Sequence, residues 1–256
     1  MSPSGHGDAS TPGDAGPDGR LKETLRALVV RPGSLTRAVR EGTGSRYFPL
    51  GGLLLAFAAV YLALVFVQTR GASGPPDDIA GLCTDGGGQG ADLQTLIGAA
   101  GASGDNVQVS PSATRVLNFA SHSLCDPAPM MRAFAFAIPI AFLLLIPVFA
   151  WLMQLAFRAQ MPGFNGNWIY AVESHAALFL LLTALAVESF LGSFVLGFLC
   201  SVGGLVYTSW NLTAGVQLAY GVSARAARWK TTLVGVIYAV CLVIAVGLLM
   251  WVQLAG

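Results

Sequence analysis

The chain has 256 residues, of which 54% are hydrophobic and only 11% are charged, and its net charge is +1. Soluble domains carry about 25% charged residues, so these charges are too few to cover a water-exposed surface. The composition disfavours a soluble enzyme, a nucleic-acid-binding protein and a disordered protein. Together with a mean hydropathy of +0.65, it predicts an integral membrane protein.

The residues before the first apolar stretch are predicted to form a disordered tail and an amphipathic segment. Residues 1–19 are rich in Gly, Pro, Ser and Asp, and they lack the basic start and apolar core of a signal peptide. Residues 20–46 predict two short helices broken at Pro32-Gly33, with Ser34 as N-cap of the second. This basic segment is expected either to lie in the lipid headgroup layer or to dock on the protein's own cytoplasmic face.

Residues 47–256 are predicted to form an all-α polytopic membrane domain with about five transmembrane helices. A transmembrane helix needs about 20 apolar residues, and five stretches qualify: 48–68, 133–157, 168–188, 190–210 and 231–253. Because only residues 189–193 separate the third stretch from the fourth, these two helices are expected to form a tight hairpin. The fourth is expected to run on towards Tyr220, since no strong break precedes Gly221.

The distribution of Lys and Arg predicts the orientation of the chain. Eleven of the fourteen basic residues precede the first stretch or lie in the connections between stretches two and three and between four and five. Because basic residues favour the cytoplasmic side, the N-terminus is expected in the cytoplasm and the loop at residues 69–131 outside. The presence of only two lysines indicates a GC-rich bacterial genome, so we expect the bacterial inner membrane.

The outer loop contains two of the four cysteines, Cys83 and Cys125. In an oxidising compartment they are expected to form a disulfide bond. The alternative is a pair of free thiols in a reducing compartment, which would require the opposite topology. No Cys-x-x-Cys pair occurs, and the loop histidine, His122, has no second histidine near it. The sequence therefore predicts neither a metal site nor a cofactor.

Two ionisable residues near the start of the third stretch, Glu173 and His175, are the main candidates for function, because charged groups inside a membrane are costly. Two positions apart on a helix, their side chains point about 200° apart. In one interpretation Glu173 lines a polar cavity, where it binds a cation or pairs with an arginine such as Arg158 or Arg225. In the favoured interpretation, both side chains are hydrated at the cytoplasmic interface.

Three further polar residues lie in or near the third and fourth stretches. Glu188, at the outer end of the third, is expected to be solvated, and the alternative is that it forms one wall of an entrance. Tyr207 and Asn211 are four residues apart and share a helix face. From there they are expected to form hydrogen bonds between helices.

Four different short motifs follow one another along the chain: Arg31-Pro32-Gly33, Arg46-Tyr-x-Pro-Leu, Tyr170-x-x-Glu-Ser-His and Tyr220-Gly221. Their order resembles a bacterial multi-pass membrane family that is catalogued as a domain of unknown function. The resemblance covers residues 21–252 without the outer loop, and it implies an architecture but no activity. The cysteine-pair zinc ribbon with which members of that family often begin does not occur in this sequence. In number of spans and in topology the chain is also similar to the Yip family of five-span trafficking proteins.

The sequence favours a non-enzymatic membrane protein that acts as an interaction or scaffold component. It contains no nucleotide-binding or hydrolase motif. The expected partners are membrane lipids and either a second copy or another membrane protein, not nucleic acid. A second copy would contact the small-residue face of the fourth stretch: Gly197, Ser201, Gly203 and Gly204. The alternative is a small channel or permease whose polar path is lined by Glu173, His175 and Asn211. The least favoured hypothesis is an enzyme that uses Glu173 and His175 as acid and base.

Overall fold

A computed structural model describes residues 17–71, 127–192 and 194–255. Residues 1–16 and 72–126, with Cys83, His122 and Cys125, lie outside the described residues, so the predictions of a tail and an outer loop stay predictions. Residues 17–19, which were predicted to belong to the tail, lie in the first helix, which begins at Pro17 with Asp18 in its first turn. Proline at the first helical position and an acidic residue near it both favour a helix start.

The described residues form seven α-helices and one short 3₁₀ helix at Gly44–Arg46, with no strand among them. The α-helices are α1 Pro17–Val30, α2 Ser34–Arg40, α3 Leu50–Gly71, α4 Pro127–Ala156, α5 Phe164–Ser189, α6 Phe194–Tyr220 and α7 Ala224–Ala255. Of these, α3 to α7 are long and apolar enough to cross a membrane. The prediction of an all-α protein with five membrane helices is therefore confirmed.

Two details of the helix boundaries follow from local sequence. The fourth membrane helix, α6, runs to Tyr220 as expected, and it ends at Gly221, which adopts a left-handed φ of 68°. The chain then passes directly into α7. Pro139 and Pro147 lie inside α4 without ending it, as is common where neighbouring groups in a membrane protein satisfy the freed carbonyls.

The described residues fall into two compact units. The larger contains α1, α2, α3 up to Leu64, and residues 139–248. The smaller contains residues 65–71, 127–138 and 249–255. All contacts described below lie within the larger unit.

The segment formed by α1, the turn at residues 31–33 and α2, called the hairpin below, is docked on the membrane helices. Leu28 of α1 and Leu35 of α2 are each 1% exposed and belong to the same apolar core as Phe157, Tyr170 and Phe179. The segment therefore docks on the protein's own membrane helices, which is one of the two arrangements expected for it.

Two of the four residues on the small-residue face of α6, Gly197 and Gly204, pack within the chain. Gly204 is buried, and a Cβ on it would lie 3.4 Å from the Leu181 side chain of α5. Gly197 lies similarly close to the carboxylate of Glu188. Gly203 faces open space. The close approach that these glycines permit therefore joins α6 to α5.

Candidate functional site

Glu173 of α5 caps the N-terminus of α2. Its side chain accepts hydrogen bonds from the backbone N–H of Gly33 at 2.8 Å and of Thr36 at 2.9 Å, and from the Thr36 hydroxyl at 2.6 Å. The first amides of a helix have no partner within that helix. Here the partner comes from a residue 140 positions further along the chain. A carboxylate, which only accepts hydrogen bonds, matches this set of three donors.

The observed cap corrects three expectations. Ser34 is the first residue of α2 rather than its N-cap; Gly33 is the N-cap, and it has no side chain with which to cap the helix. Glu173 is 3% exposed, so it is not hydrated at an interface. The ion pairs of the described chain join Arg37 to Glu41 and Arg46 to Glu23. Glu173 therefore has no ion pair with Arg158 or Arg225 there, because the hairpin already occupies both of its oxygens.

Glycine lies on both sides of the contact between the turn before α2 and α6. Gly33 has a φ of 81°, which L-residues rarely adopt, and a Cβ on it would overlap the carbonyl oxygen of Gly215. A Cβ on Gly215 would lie 2.9 Å from the hydroxyl of Tyr170, which donates a hydrogen bond to Leu212 O at 3.0 Å. The backbones of the turn and of α6 therefore approach closely, which brings the Gly33 amide to Glu173.

The other end of the turn is bound by Tyr207 and Asn211 of α6. The Tyr207 hydroxyl donates to Val29 O at 3.2 Å, and the Asn211 amide group contacts Leu28 O at 3.5 Å and Tyr207 Oη at 3.2 Å. These carbonyls belong to the last turn of α1, where backbone acceptors lack helical partners. Tyr207 and Asn211 were expected to form hydrogen bonds between helices, and in the structure they bond to α1 of the hairpin and to each other.

His175 lies on a different side of α5, in an aromatic cluster. Its Nδ1 is 2.8 Å from Ala171 O, and its Nε2 is 2.7 Å from the hydroxyl of Tyr238 on α7. Because a carbonyl oxygen only accepts, Nδ1 carries the proton, and Nε2 accepts the proton of Tyr238. The rings of Phe142 and Phe149 meet the imidazole edge-on. At 3% exposure, His175 is buried rather than hydrated, and both of its nitrogens are satisfied.

A third polar cluster, not predicted from the sequence, joins the ends of several membrane helices. The Tyr220 hydroxyl at the end of α6 donates to Asn167 Oδ1 at 2.8 Å, and the Asn167 amide group donates to Gly163 O at 3.0 Å and to Gln154 Oε1. Lys230 at the start of α7 donates to Ala156 O at 2.6 Å. The one signal for Asn167 is its place, as an amide residue, at the beginning of a span.

The remaining candidate residues do not join these clusters. Glu188 is partly buried at the other end of α5, with its carboxylate over Gly197. Cys200 and Cys241 are free thiols. Within the described ranges, no group of three His, Cys, Asp or Glu side chains could hold a metal ion.

The three side chains that the channel hypothesis places along one polar path have separate partners. Glu173 binds the start of α2, Asn211 contacts α1 and Tyr207, and His175 binds Ala171 and Tyr238. Each of these side chains is hydrogen-bonded to polar groups elsewhere in the chain. This arrangement holds the hairpin and the bundle together, and it leaves these side chains few free polar atoms for a substrate or an ion.

The chain matches no protein family model, no curated protein and no solved structure. What the fold establishes is a class, an all-α protein with five helices suited to a membrane. The resemblance drawn from the short motifs stays a prediction. Residues of three of those motifs do lie together at the docked hairpin: Gly33 and Glu173 share a hydrogen bond, and Tyr170 packs against Tyr220 with ring centroids 5.5 Å apart.

Proposed function

We propose that this protein is a non-enzymatic interaction or scaffold component of a bacterial inner membrane, and that the docked hairpin is its cytoplasmic platform. The observation that carries the proposal is the use of Glu173. A carboxylate, which is costly to bury in a membrane helix, is committed here to holding a surface segment in place. A catalytic or ion-conducting carboxylate would need access to substrate or water, whereas this one is 3% exposed.

The charge of the platform supports its placement in the cytoplasm. Lys22, Arg26 and Arg31 are exposed on the hairpin. Arg40 donates to Ala219 O at the end of α6, and Lys230 donates to the end of α4. The basic residues before α3, after α4 and at the start of α7 are thus near one another, as the positive-inside rule predicts for cytoplasmic segments. The exposed basic side chains suit a partner with acidic groups or an anionic membrane surface.

Two finer features belong to the same proposal. The chain associates with a second copy or with another membrane protein. Gly197 and Gly204 already pack on α5, whereas Ser201 and Gly203 on the same helix are exposed and stay available to that contact. In addition, Cys83 and Cys125 form a disulfide bond in an extracytoplasmic loop, which would appear as a mobility shift on reduction in denaturing electrophoresis.

The proposal is tested on the full chain purified in mild detergent. Its oligomeric mass is measured by light scattering, and the same sample is then reconstituted into vesicles and assayed for ion flux. We expect a defined oligomer or a stoichiometric complex, and no flux above empty vesicles for the parent chain or for Glu173→Gln. Flux that depends on Glu173, with the matched Glu188→Gln variant behaving as the parent, would contradict the proposal and favour a channel. A silent monomer without a partner would contradict the scaffold role.

A further inference from the structure

A small polar cavity lies beside the hairpin, between α1, the start of α2 and Tyr47, which is three residues before α3. Its volume is about 140 Å³, and it is lined by Glu23, Arg26, Ala27, Arg31, Ser34 and Tyr47. One buried water needs roughly 15 Å³ of such volume, so the cavity has room for a polyatomic group. Glu173 is not among the lining residues, so the cavity is separate from the cap of α2.

The groups that line this cavity have unused hydrogen-bonding capacity. The Ser34 hydroxyl oxygen is buried and has no hydrogen-bond partner among the described residues. Ser34 lines the cavity, and because buried polar atoms are nearly always paired, its hydroxyl lacks the partner that such atoms usually have. The ion pairs of the described chain leave out Arg26 and Arg31. Glu23, the one carboxylate in the lining, lies 3.9 Å from Arg46, which offsets its charge.

We propose that this cavity binds the phosphate group of an anionic phospholipid. Guanidinium groups present several N–H donors in a planar fork that matches phosphate oxygens, and a hydroxyl can add a further donor. A carboxylate ligand would use one guanidinium fork, whereas a phosphate can engage two arginines and the hydroxyl of Ser34 together.

The position of the cavity favours a lipid over free phosphate. Tyr47 lines it, and Leu50 begins the first membrane helix. The cavity therefore lies at the level where a bilayer presents its headgroups, and basic pockets at that level bind anionic headgroups. This inference does not rest on the proposed scaffold function, because a channel or an enzyme could carry the same lipid site.

The test is native mass spectrometry of the full chain in detergent, with phosphatidylglycerol, phosphatidic acid, phosphatidylcholine and inorganic phosphate offered separately. We expect one retained anionic lipid per chain and little retention of phosphatidylcholine. The double variant Arg26→Ala/Arg31→Ala should weaken retention roughly tenfold or more, as expected for the loss of charge-assisted hydrogen bonds. The matched control Lys22→Ala/Arg225→Ala removes the same charge from exposed positions outside the cavity, and it should retain the lipid.

Ser34→Ala separates the cavity from general electrostatic attraction. Because the hydroxyl has no partner in the fold, its removal should leave the melting temperature unchanged while weakening lipid retention about threefold. Equal losses in the two double variants would overturn the proposal, since diffuse charge would then explain the binding. Absence of lipid retention would also overturn it. Retention of inorganic phosphate alone, with the same dependence on Arg26 and Arg31, would overturn the lipid as the source of the phosphate.

Discussion

Two sides of α5 carry buried polar side chains, and each side chain obtains its hydrogen-bond partners in a different way. Glu173 meets the hairpin and takes three hydrogen bonds from its turn and α2. His175, two residues further on, meets α7 and is satisfied by one carbonyl and one hydroxyl inside an aromatic cluster. Both are 3% exposed. One therefore anchors a segment that contributes no span of its own, and the other joins membrane helices.

The comparison shows that a buried polar side chain in a membrane helix has to be interpreted from the groups to which it is hydrogen-bonded. A buried carboxylate is tolerated here because the start of α2 supplies donors that would otherwise be unsatisfied. A buried imidazole is tolerated because each nitrogen meets a group of the opposite kind. Loss of Glu173 leaves three donors without an acceptor. Loss of the Tyr238 hydroxyl leaves one ring nitrogen of His175 without a donor. The expected effects of substitution differ accordingly.

The largest effect is expected for Glu173→Ala. It leaves two buried amides and one buried hydroxyl without an acceptor, which should cost about 4 kcal/mol and release the hairpin. The measurement is equilibrium unfolding in detergent together with limited proteolysis at the hairpin arginines. Glu188→Ala removes the other carboxylate of α5 and should change stability by less than about 1 kcal/mol. Equal effects of the two variants would contradict the special role of Glu173 as the cap of α2.

A slightly smaller effect is expected for Gly33→Ala, which leaves Glu173 in place. The new Cβ would overlap Gly215 O and occupy a φ of 81°, so the turn should lift off α6 at a cost of about 3 kcal/mol. Gly42→Ala is the matched control, since Gly42 has a φ of 77° but nothing within 4 Å of its Cβ position. It should cost only about 1 kcal/mol. If the two variants lose the same stability in thermal unfolding, backbone conformation rather than close contact would explain why residue 33 is a glycine.

A moderate and local effect is expected for Tyr207→Phe. It removes the donor to Val29 O at the end of α1 and an acceptor for Asn211, at about 1 kcal/mol. Amide exchange should rise in α1 more than in α5. The control is Thr208→Val, because among the described residues the hydroxyl of Thr208 bonds to Gly204 O, within α6 itself. Unchanged exchange in α1 would mean that Tyr207 does not hold the hairpin.

The smallest effect is expected on the His175 side. Tyr238→Phe removes the hydroxyl that donates to Nε2, and hydrogen bonds between membrane helices contribute about 0.6 kcal/mol on average. The hairpin should keep its protection against exchange. Tyr61→Phe, a half-buried tyrosine packed against Phe179, is the matched control and should be close to neutral. Release of the hairpin by Tyr238→Phe would show that the two sides of α5 are coupled.

The sequence predicted the membrane helices well, because the length of an apolar stretch can be counted directly and compared with the length needed to cross a bilayer. It identified Glu173, His175, Tyr207 and Asn211 as unusual, because polar groups in apolar stretches are costly. It could not identify their partners. The acceptor for the Gly33 amide lies 140 residues away, and no local pattern encodes that pairing. Thr36 and Asn167 were missed for the same reason, since each is unremarkable until its distant partner is known.

The most direct test of the central claim is hydrogen exchange of residues 33–40 in the full chain, reconstituted in neutral lipid. The claim is that Glu173 serves as a cap for α2. The parent chain should protect the Gly33 and Thr36 amides, Glu173→Ala should raise their exchange at least about tenfold, and Tyr238→Phe should leave it unchanged. Protection that persists in Glu173→Ala would contradict the claim, because the hairpin would then be held without its cap.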